Sequence, residues 1–340
     1  MFVVSNSKLN TWRRCHYSYY LKYILKLERK VKPGPLQRGS IIHECLEEWN
    51  SGRSWKKPLE RFTKEFYDNT FAEERLELGD LPKIVQELLE AYTHYYTEEE
   101  FEYIQNELHF ELPLTKEIAI QGYIDSIVED ERGRVWSMET KTYTRTPDRD
   151  FLLFNPQSAT YIWALRELGY EPEGMLWNIL KAKEPTKPRL TQKTQKLSLA
   201  KLDSTPYTIR KGIKELGLDP KDYEDFIGKH DYDGYFYRHQ IRLNKNVVES
   251  IMDDTLSTAL EVYEQGGVLK DKNLNRDCSW CSYRSICQAE LMALDVDYII
   301  EAEYQTRSRE IEEEENVNQK EEKANKEKTS TRRKRNRNRK

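Results

Sequence analysis

The 340-residue chain is 37% hydrophobic, 11% aromatic and 34% charged, with a formal net charge of −4. That supports a sizeable buried core and one large or two modest domains, while no run nears the roughly 18 apolar residues of a membrane span. Residues 320–340 carry eleven Lys and Arg against three Glu, leaving about −12 on the rest, which excludes a body that coats nucleic acid electrostatically.

The opening MFVVSNSKLN lacks a signal-peptide profile, so a cytoplasmic protein is expected. Five unevenly placed cysteines do not form a secreted disulfide framework. SNSKLNTWRRCHYSYYLKYILKLE (5–28) reads as one helix capped by Ser5 or Ser7, and RGSIIHECLEEWNSG (38–52) as a second, stopped by Gly52. Residues 55–109 are charged and helical in pattern. From about Glu111 the period falls to two: KEIAIQGYIDSIVED, the turn ERGR with Gly133, then VWSMETKTY, a β-hairpin. NPQSATYIWALRELG (155–169) returns to helix, with Pro156 near its start and Gly169 closing it, and GMLWNILKAK (174–183) reads as a strand. Residues 184–245 give no clear pattern, whereas 244–267 form a helix ending at a glycine pair.

This order predicts an α/β fold with helical additions. Its expected divisions are a helical region (1–110) carrying Cys15 and His43, a core (111–183), a helical region (184–300) ending in a cysteine cluster, and a charged, disordered tail (301–340).

Side chains alternate along a strand, so Glu139 and Lys141 share a face, and the hairpin can lay Asp125 beside Glu139. Two adjacent carboxylates repel unless a divalent cation joins them, and oxygen donors suit Mg²⁺ or Mn²⁺. A lysine beside that cation can stabilise charge growing on a phosphate. Taken alone, the triplet reads more simply as a surface ion pair. Gln157 and Tyr161, at i and i+4, add an amide and a phenol on one helix face, and His43 lies four residues after Gly39.

The ordered set G-x-x-x-H (Gly39, His43), G-x-I-D (Gly122, Asp125), E-x-K (Glu139, Lys141) and Q-x-x-x-Y (Gln157, Tyr161) resembles the RecB-like branch of the PD-(D/E)XK nucleases. The resemblance runs from residue 5 to about 290 and implies a restriction-endonuclease-like core, a central mixed sheet flanked by helices. It implies that Asp125, Glu139 and the Thr140 carbonyl bind the metal, with His43 completing the shell. Lys141 would activate water, and Gln157 and Tyr161 would position the DNA end. Ile124 stands where the family's name has proline, and Glu111 is a weaker candidate.

CSWCSYRSIC places Cys278, Cys281 and Cys287 as C-x2-C-x5-C, a metal-site signal short of one ligand. Cys15 is the natural fourth and Cys45 the other possibility, and spacing alone leaves zinc and iron–sulfur open. The pattern resembles the iron–sulfur staple of nucleases related to AddB and to the CRISPR adaptation nucleases. That likeness implies a structural [4Fe–4S] cluster on Cys15, Cys278, Cys281 and Cys287, shielded by Trp280, Tyr283 and Ile286. His16 stands where that family has Pro.

KAKEPTKPRLTQKTQK (181–196), with six basic residues against one Glu, could grip phosphates or be a solvated loop. The segment GMLWNILKAKEPTKPRLT resembles phage-encoded members of the group. RRKRNRNRK could tether nucleic acid or an acidic partner, and the absence of G-x-x-x-x-G-K-[ST] leaves any helicase motor to a separate partner. The expectation is a metal-dependent DNA exonuclease in a bacterial or phage-infected cell, acting on single- or double-stranded ends beside a helicase or recombination partner. The alternatives are an endonuclease or spacer-processing nuclease in a larger complex, or a non-catalytic, metal-stapled DNA-binding scaffold.

Overall fold

The computed structural model describes residues 1–144 and 147–307. Among the described residues the chain forms two compact units, one of Met1–Leu9 and Lys32–Tyr263, the other of Asn10–Val31 and residues 264–307.

The first unit is built on a six-stranded mixed sheet in the order β1-β4-β5-β6-β7, with β3 also paired to β4. Its strands are β1 (Phe2–Val4), β3 (Phe101–Pro113), β4 (Ile118–Asp130), β5 (Val135–Tyr143), β6 (Pro172–Lys181) and β7 (Phe236–Arg242). β3–β4, β4–β5 and β6–β7 pair antiparallel, whereas β1–β4 and β5–β6 are parallel. The parallel β5–β6 pair needs a crossover, which α7 (Arg149–Leu153) and α8 (Pro156–Glu167) supply. Gly174 permits the close approach of β6 and β7, since a Cβ there would lie 2.2 Å from the Ile241 carbonyl oxygen. At the hairpin between β4 and β5, Gly133 adopts a φ of 73°, and Asp130 accepts from the backbone amides of Arg132 and Arg134.

Helices α3 (Gly34–Asn50), α4 (Lys56–Asn69), α5 (Ala72–Leu78) and α6 (Leu81–Tyr95) precede β3. Ile42, Leu46, Leu88 and Tyr92 from α3 and α6 join Leu180 and Phe236 of the sheet in one core. After β6 come α9 (Pro206–Glu215), α10 (Glu224–Ile227) and, beyond β7, α11 (Lys245–Glu264).

Helix α1 (Asn6–Arg14) begins in the first unit and ends in the second, which continues with α2 (His16–Tyr19), a π-helical turn (Tyr20–Ile24) and β2 (Leu27–Arg29). It is completed by α12 (Arg284–Leu291), α13 (Val296–Glu303) and β8 (Tyr304–Thr306), the last pairing antiparallel with β2. Tyr17, Leu21, Leu27, Tyr283, Ile286 and Tyr304 form its core.

The hairpin, α8, β6 and α11 lie where the sequence pattern puts them. Four assignments change. The core expected over 111–183 also takes in β1, the start of β3 and β7, the last lying inside the region expected to be helical. Residues 101–109 are strand rather than helix. The single helix over 5–28 breaks at Cys15, whose backbone is extended at φ −170° and ψ 117°. Ser5 is its cap, accepting from the Lys8 amide at 3.3 Å. Residues 301–307, read as tail, are the end of α13 and β8, held by backbone pairing that charge density does not reveal. The basic run 332–340 and the rest of the tail lie outside the described residues, and among those described no helix is long and apolar enough to cross a membrane.

Candidate active site

The site lies where β4 and β5 part. Their ladder runs only from Glu129↔Val135 to Ser126↔Met138, and β1 meets β4 only as far as Ile120. One edge of β4 from Gln121 to Asp125 is therefore unpaired, as is the facing edge of β5 from Glu139 on. The Asp125 side chain takes over from the ladder: its Oδ2 accepts from the Thr140 backbone amide at 2.8 Å. His43, on α3, brings Nδ1 to 3.3 Å from the same oxygen. Burial works against the imidazolium, but the hydrogen bond and charge of Asp125 outweigh it and raise the His43 pKa.

Glu139 is 2% exposed. Its Oε1 accepts from Lys141 Nζ at 2.5 Å and from Gln157 Nε2 at 2.8 Å, while Oε2 is buried without a hydrogen-bond partner. Burial, then the neighbouring Asp125 carboxylate, push its pKa up, and the opposing charges of Lys141 and His43 offset this only in part. Burial disfavours the Lys141 ammonium, yet its bond to Glu139 wins and the pKa is raised. Gln157, at the start of α8, also donates to the Tyr161 hydroxyl at 2.8 Å. Tyr161 is held protonated well beyond neutral pH by burial and by the charge of Glu139.

The motif glycines differ in kind. At Gly122 a Cβ would meet the Phe110 ring at 2.8 Å and Tyr161 at 3.3 Å, whereas at Gly39 the nearest atom is Thr142 Oγ1 at 3.8 Å. Glu111 is exposed on β3 and paired in register with Gln121, and no observed contact ties it to the other residues.

A buried chain of hydrogen bonds backs the site and was not read from the sequence. Asn178 on β6 donates to Thr140 Oγ1 at 3.1 Å and accepts from the Tyr92 hydroxyl at 3.1 Å. Arg238, clamped by Glu99, donates to that hydroxyl at 3.3 Å. The available signal was the lone amide within the apolar run GMLWNIL.

The donor set fits a hard divalent cation. The Asp125 and Glu139 carboxylates lie at one opening, and the partnerless Glu139 Oε2 is an oxygen that a cation would satisfy. Among the described residues no three His, Cys, Asp or Glu side chains are gathered as a metal site.

The family profile described as the PD-(D/E)XK nuclease superfamily matches residues 3–288. The chain belongs to the PD-(D/E)XK nuclease superfamily. This is a family of metal-dependent nucleases, which implies a DNA substrate and a divalent cation such as Mg²⁺ or Mn²⁺. No curated protein matches the sequence significantly. Two crystal structures align weakly: SSO0001, at 11% identity and TM-score 0.28 over 67% of this chain and 81% of that one, and a protein from Eubacterium rectale described as a candidate exonuclease, at 12% identity and TM-score 0.32 over 74% of this chain and 92% of that one. Similarity at that level carries no argument here.

The second unit brings Cys15, Cys278, Cys281 and Cys287 to the lining of one cavity of about 320 Å³. Burial pushes the Cys287 thiol up to about 11, and the nearby Cys281 and Cys15 add to this. Cys45 is instead a core residue of the first unit, buried beside Ile42 and Leu46. His16 is occupied by Asp271, with Nδ1 2.8 Å from Oδ1, and its ring packs tilted against Trp12. Tyr283 and Ile286 are buried as a shield requires, but Trp280 is 69% exposed: it ends the 3₁₀ turn Arg276–Trp280, which has no buried residue. In the basic run 181–196, Lys181 and Lys183 pair with Asp203, and Lys187 with Glu87 and Glu215, so half of its six cations are already neutralised within the protein.

Proposed function

We propose that the chain is a DNA exonuclease whose cation is held by Asp125, Glu139 and the Thr140 carbonyl, with His43 beside them. The observation that carries this is the buried Glu139, placed against Asp125 and Lys141 with one oxygen unsatisfied. A divalent cation held there would supply Lewis-acid polarisation of the phosphate and would lower the pKa of a water. Lys141 holds its ammonium at the site and stabilises charge growing on the phosphate. Gln157 fixes the Glu139 carboxylate and the Tyr161 hydroxyl together, so the phenol can donate to the phosphate of a strand end. Burial of Glu139 and Tyr161 keeps bulk water from competing. Action at ends rests on the likeness of Gln157 and Tyr161 to the RecB-like motif.

We favour a structural iron–sulfur cluster over zinc on the likeness of the cysteine pattern to the iron–sulfur staple; Cys15, Cys278, Cys281 and Cys287 line one cavity, although among the described residues no three of them are gathered as a metal site.

End-labelled linear DNA and closed circular DNA, incubated with Mg²⁺ or Mn²⁺, test the reading. Loss of the linear form alone, abolished in Glu139→Ala, supports an exonuclease at this site. Cleavage of the circle replaces it with an endonuclease.

A further inference from the structure

Three neighbouring strands each place a polar side chain in one row, on the face of the sheet toward α6. Register sets Thr140 of β5 opposite Asn178 of β6, and Asn178 opposite Arg238 of β7. The adjoining rows hold Met138 with Leu176, and Leu180 with Phe236, so the polar row interrupts an apolar face. Thr140 and Asn178 are buried, and the Arg238 side chain is 8% exposed. Burying a hydroxyl, an amide and a guanidinium costs free energy that an apolar row would not. The row is bonded from strand to strand in one direction. Glu99 holds Arg238, Arg238 donates to the Tyr92 hydroxyl at 3.3 Å, that hydroxyl donates to Asn178 Oδ1 at 3.1 Å, and Asn178 Nδ2 donates to Thr140 Oγ1 at 3.1 Å. Burial raises the Tyr92 pKa, so its proton stays available to Asn178.

The place where this row ends gives it a use. Thr140 stands between Glu139 and Lys141, so its side chain points away from theirs. The β4–β5 ladder stops at Ser126↔Met138, two residues before Thr140, and past that point Asp125 Oδ2 accepts from the Thr140 amide at 2.8 Å. A strand that has parted from its neighbour needs another hold if that amide is to stay on Asp125. Asn178 grips Thr140 from the opposite face, and Tyr92 and Arg238 keep the Asn178 amide turned the right way. A hydrogen bond fixes direction, whereas apolar contact does not. A leucine at residue 178 would fill the space and leave Thr140 free to turn.

We propose that Asn178, held by Tyr92 and Arg238, is a positioning residue that fixes the Thr140 amide against Asp125 and so sets the affinity of the site for its cation. The proposal rests on the nuclease reading and adds to it residues of α6, β6 and β7 that act through Thr140 rather than by touching substrate. Outer partners that orient a ligating group change metal affinity by about 10–100-fold. The effect is one of geometry, since Asn178 and Thr140 carry no charge.

The test uses the full chain and two readouts that need no cleavage. Mn²⁺ affinity is read from the electron paramagnetic resonance signal of the free ion. Exchange of the Thr140 amide proton is read by NMR of metal-free protein carrying isotope-labelled threonine. Asn178→Leu keeps the branched shape and removes the bonds; it should bind Mn²⁺ about tenfold or more weakly and exchange the Thr140 amide faster relative to that of buried Thr255 on α11. Tyr92→Phe should move both readouts in the same direction by less. Ile209→Val, a buried change on α9 outside the row, should leave both at the parent's values. Parent-like Mn²⁺ affinity or Thr140 exchange in Asn178→Leu, or an equal loss in Ile209→Val, would overturn the proposal. If Asn178→Leu does not fold, Tyr92→Phe decides on the same readouts. A parent that binds no Mn²⁺, or binds it equally well after Glu139→Ala, would remove the cation site of the nuclease reading, while Thr140 exchange would still score the positioning.

Discussion

Gly122 and Gly39 belong to two short motifs of the same site, yet substitution should act on them in opposite directions. A methyl group at residue 122 would stand 2.8 and 2.9 Å from two carbons of the Phe110 ring, closer than real contacts allow. Phe110 is 2% exposed and packs edge to face on Tyr161 at 5.9 Å, so the strain passes to Tyr161. Overpacking of this kind costs about 1–3 kcal/mol. The reduced entropy of the unfolded chain returns about 0.4–1 kcal/mol, because φ at Gly122 is not in the left-handed region. Gly122→Ala should therefore lose about 1–2 kcal/mol in urea denaturation. Its cleavage rate should fall further than its folded fraction, since Tyr161 shares a 2.8 Å hydrogen bond with Gln157. Gly39→Ala places its methyl group in ordinary contact within a helix and should gain about 0.5–1 kcal/mol. A Gly122→Ala protein as stable and active as the parent would refute the packing argument. So would a Gly39→Ala protein destabilised by a similar amount.

Asn178→Ala strips partners from two buried hydroxyls, Thr140 and Tyr92, and should cost about 1–3 kcal/mol, read from the urea midpoint; no change would mean those groups find other partners. Asp203 carries an acid-stability signature. Burial opposes its ionisation, but Lys181 and Lys183 outweigh it and bring the pKa down to about 2 from the ordinary 3.8. A depressed carboxylate adds stability that is present above the ordinary pKa and lost as pH falls through the folded one. The parent should therefore lose stability between about pH 4 and 2 relative to Asp203→Asn, more visibly at low salt, and coincident curves would count against the pair. Cys281→Ser should lose the visible absorbance of a cluster and the thermal stability of the second unit. A colourless, anaerobically purified parent with bound zinc would instead replace the iron–sulfur assignment.

The hairpin and α8 were legible because two runs rich in β-branched and aromatic residues, KEIAIQGYIDSIVED and VWSMETKTY, flank the turn at Gly133 and because Gln157 and Tyr161 fall one helical turn apart. Asp125 beside Glu139 followed from hairpin register, but the opening between the strands did not, since it depends on where β1 stops and β5 starts to pair. β3 was hidden for a local reason. FEYIQNELHFELP mixes charged and apolar residues, shifts register between Tyr103 and Gln105, and turns at Glu107 with φ 48°, so its alternation is broken twice. The break at Cys15 was equally invisible to periodicity, because aromatic residues line both sides of it and the distant partners Asp271 and Asn273 hold the bend. Among the basic residues of 181–196, pairing with Asp203, Glu87 and Glu215 is long-range and left no mark on the local sequence.

The central claim is that Asp125 and Glu139 share a divalent cation and that Lys141 works beside it. The most direct measurement is hydrolysis of labelled DNA across a Mg²⁺ titration by the parent, Glu139→Ala and Lys141→Ala, each checked for folding by circular dichroism. Saturable, metal-dependent cleavage by the parent, with both folded variants at least a hundredfold slower, is the predicted result. Cleavage by the parent in EDTA, or full activity in either variant, would contradict the account.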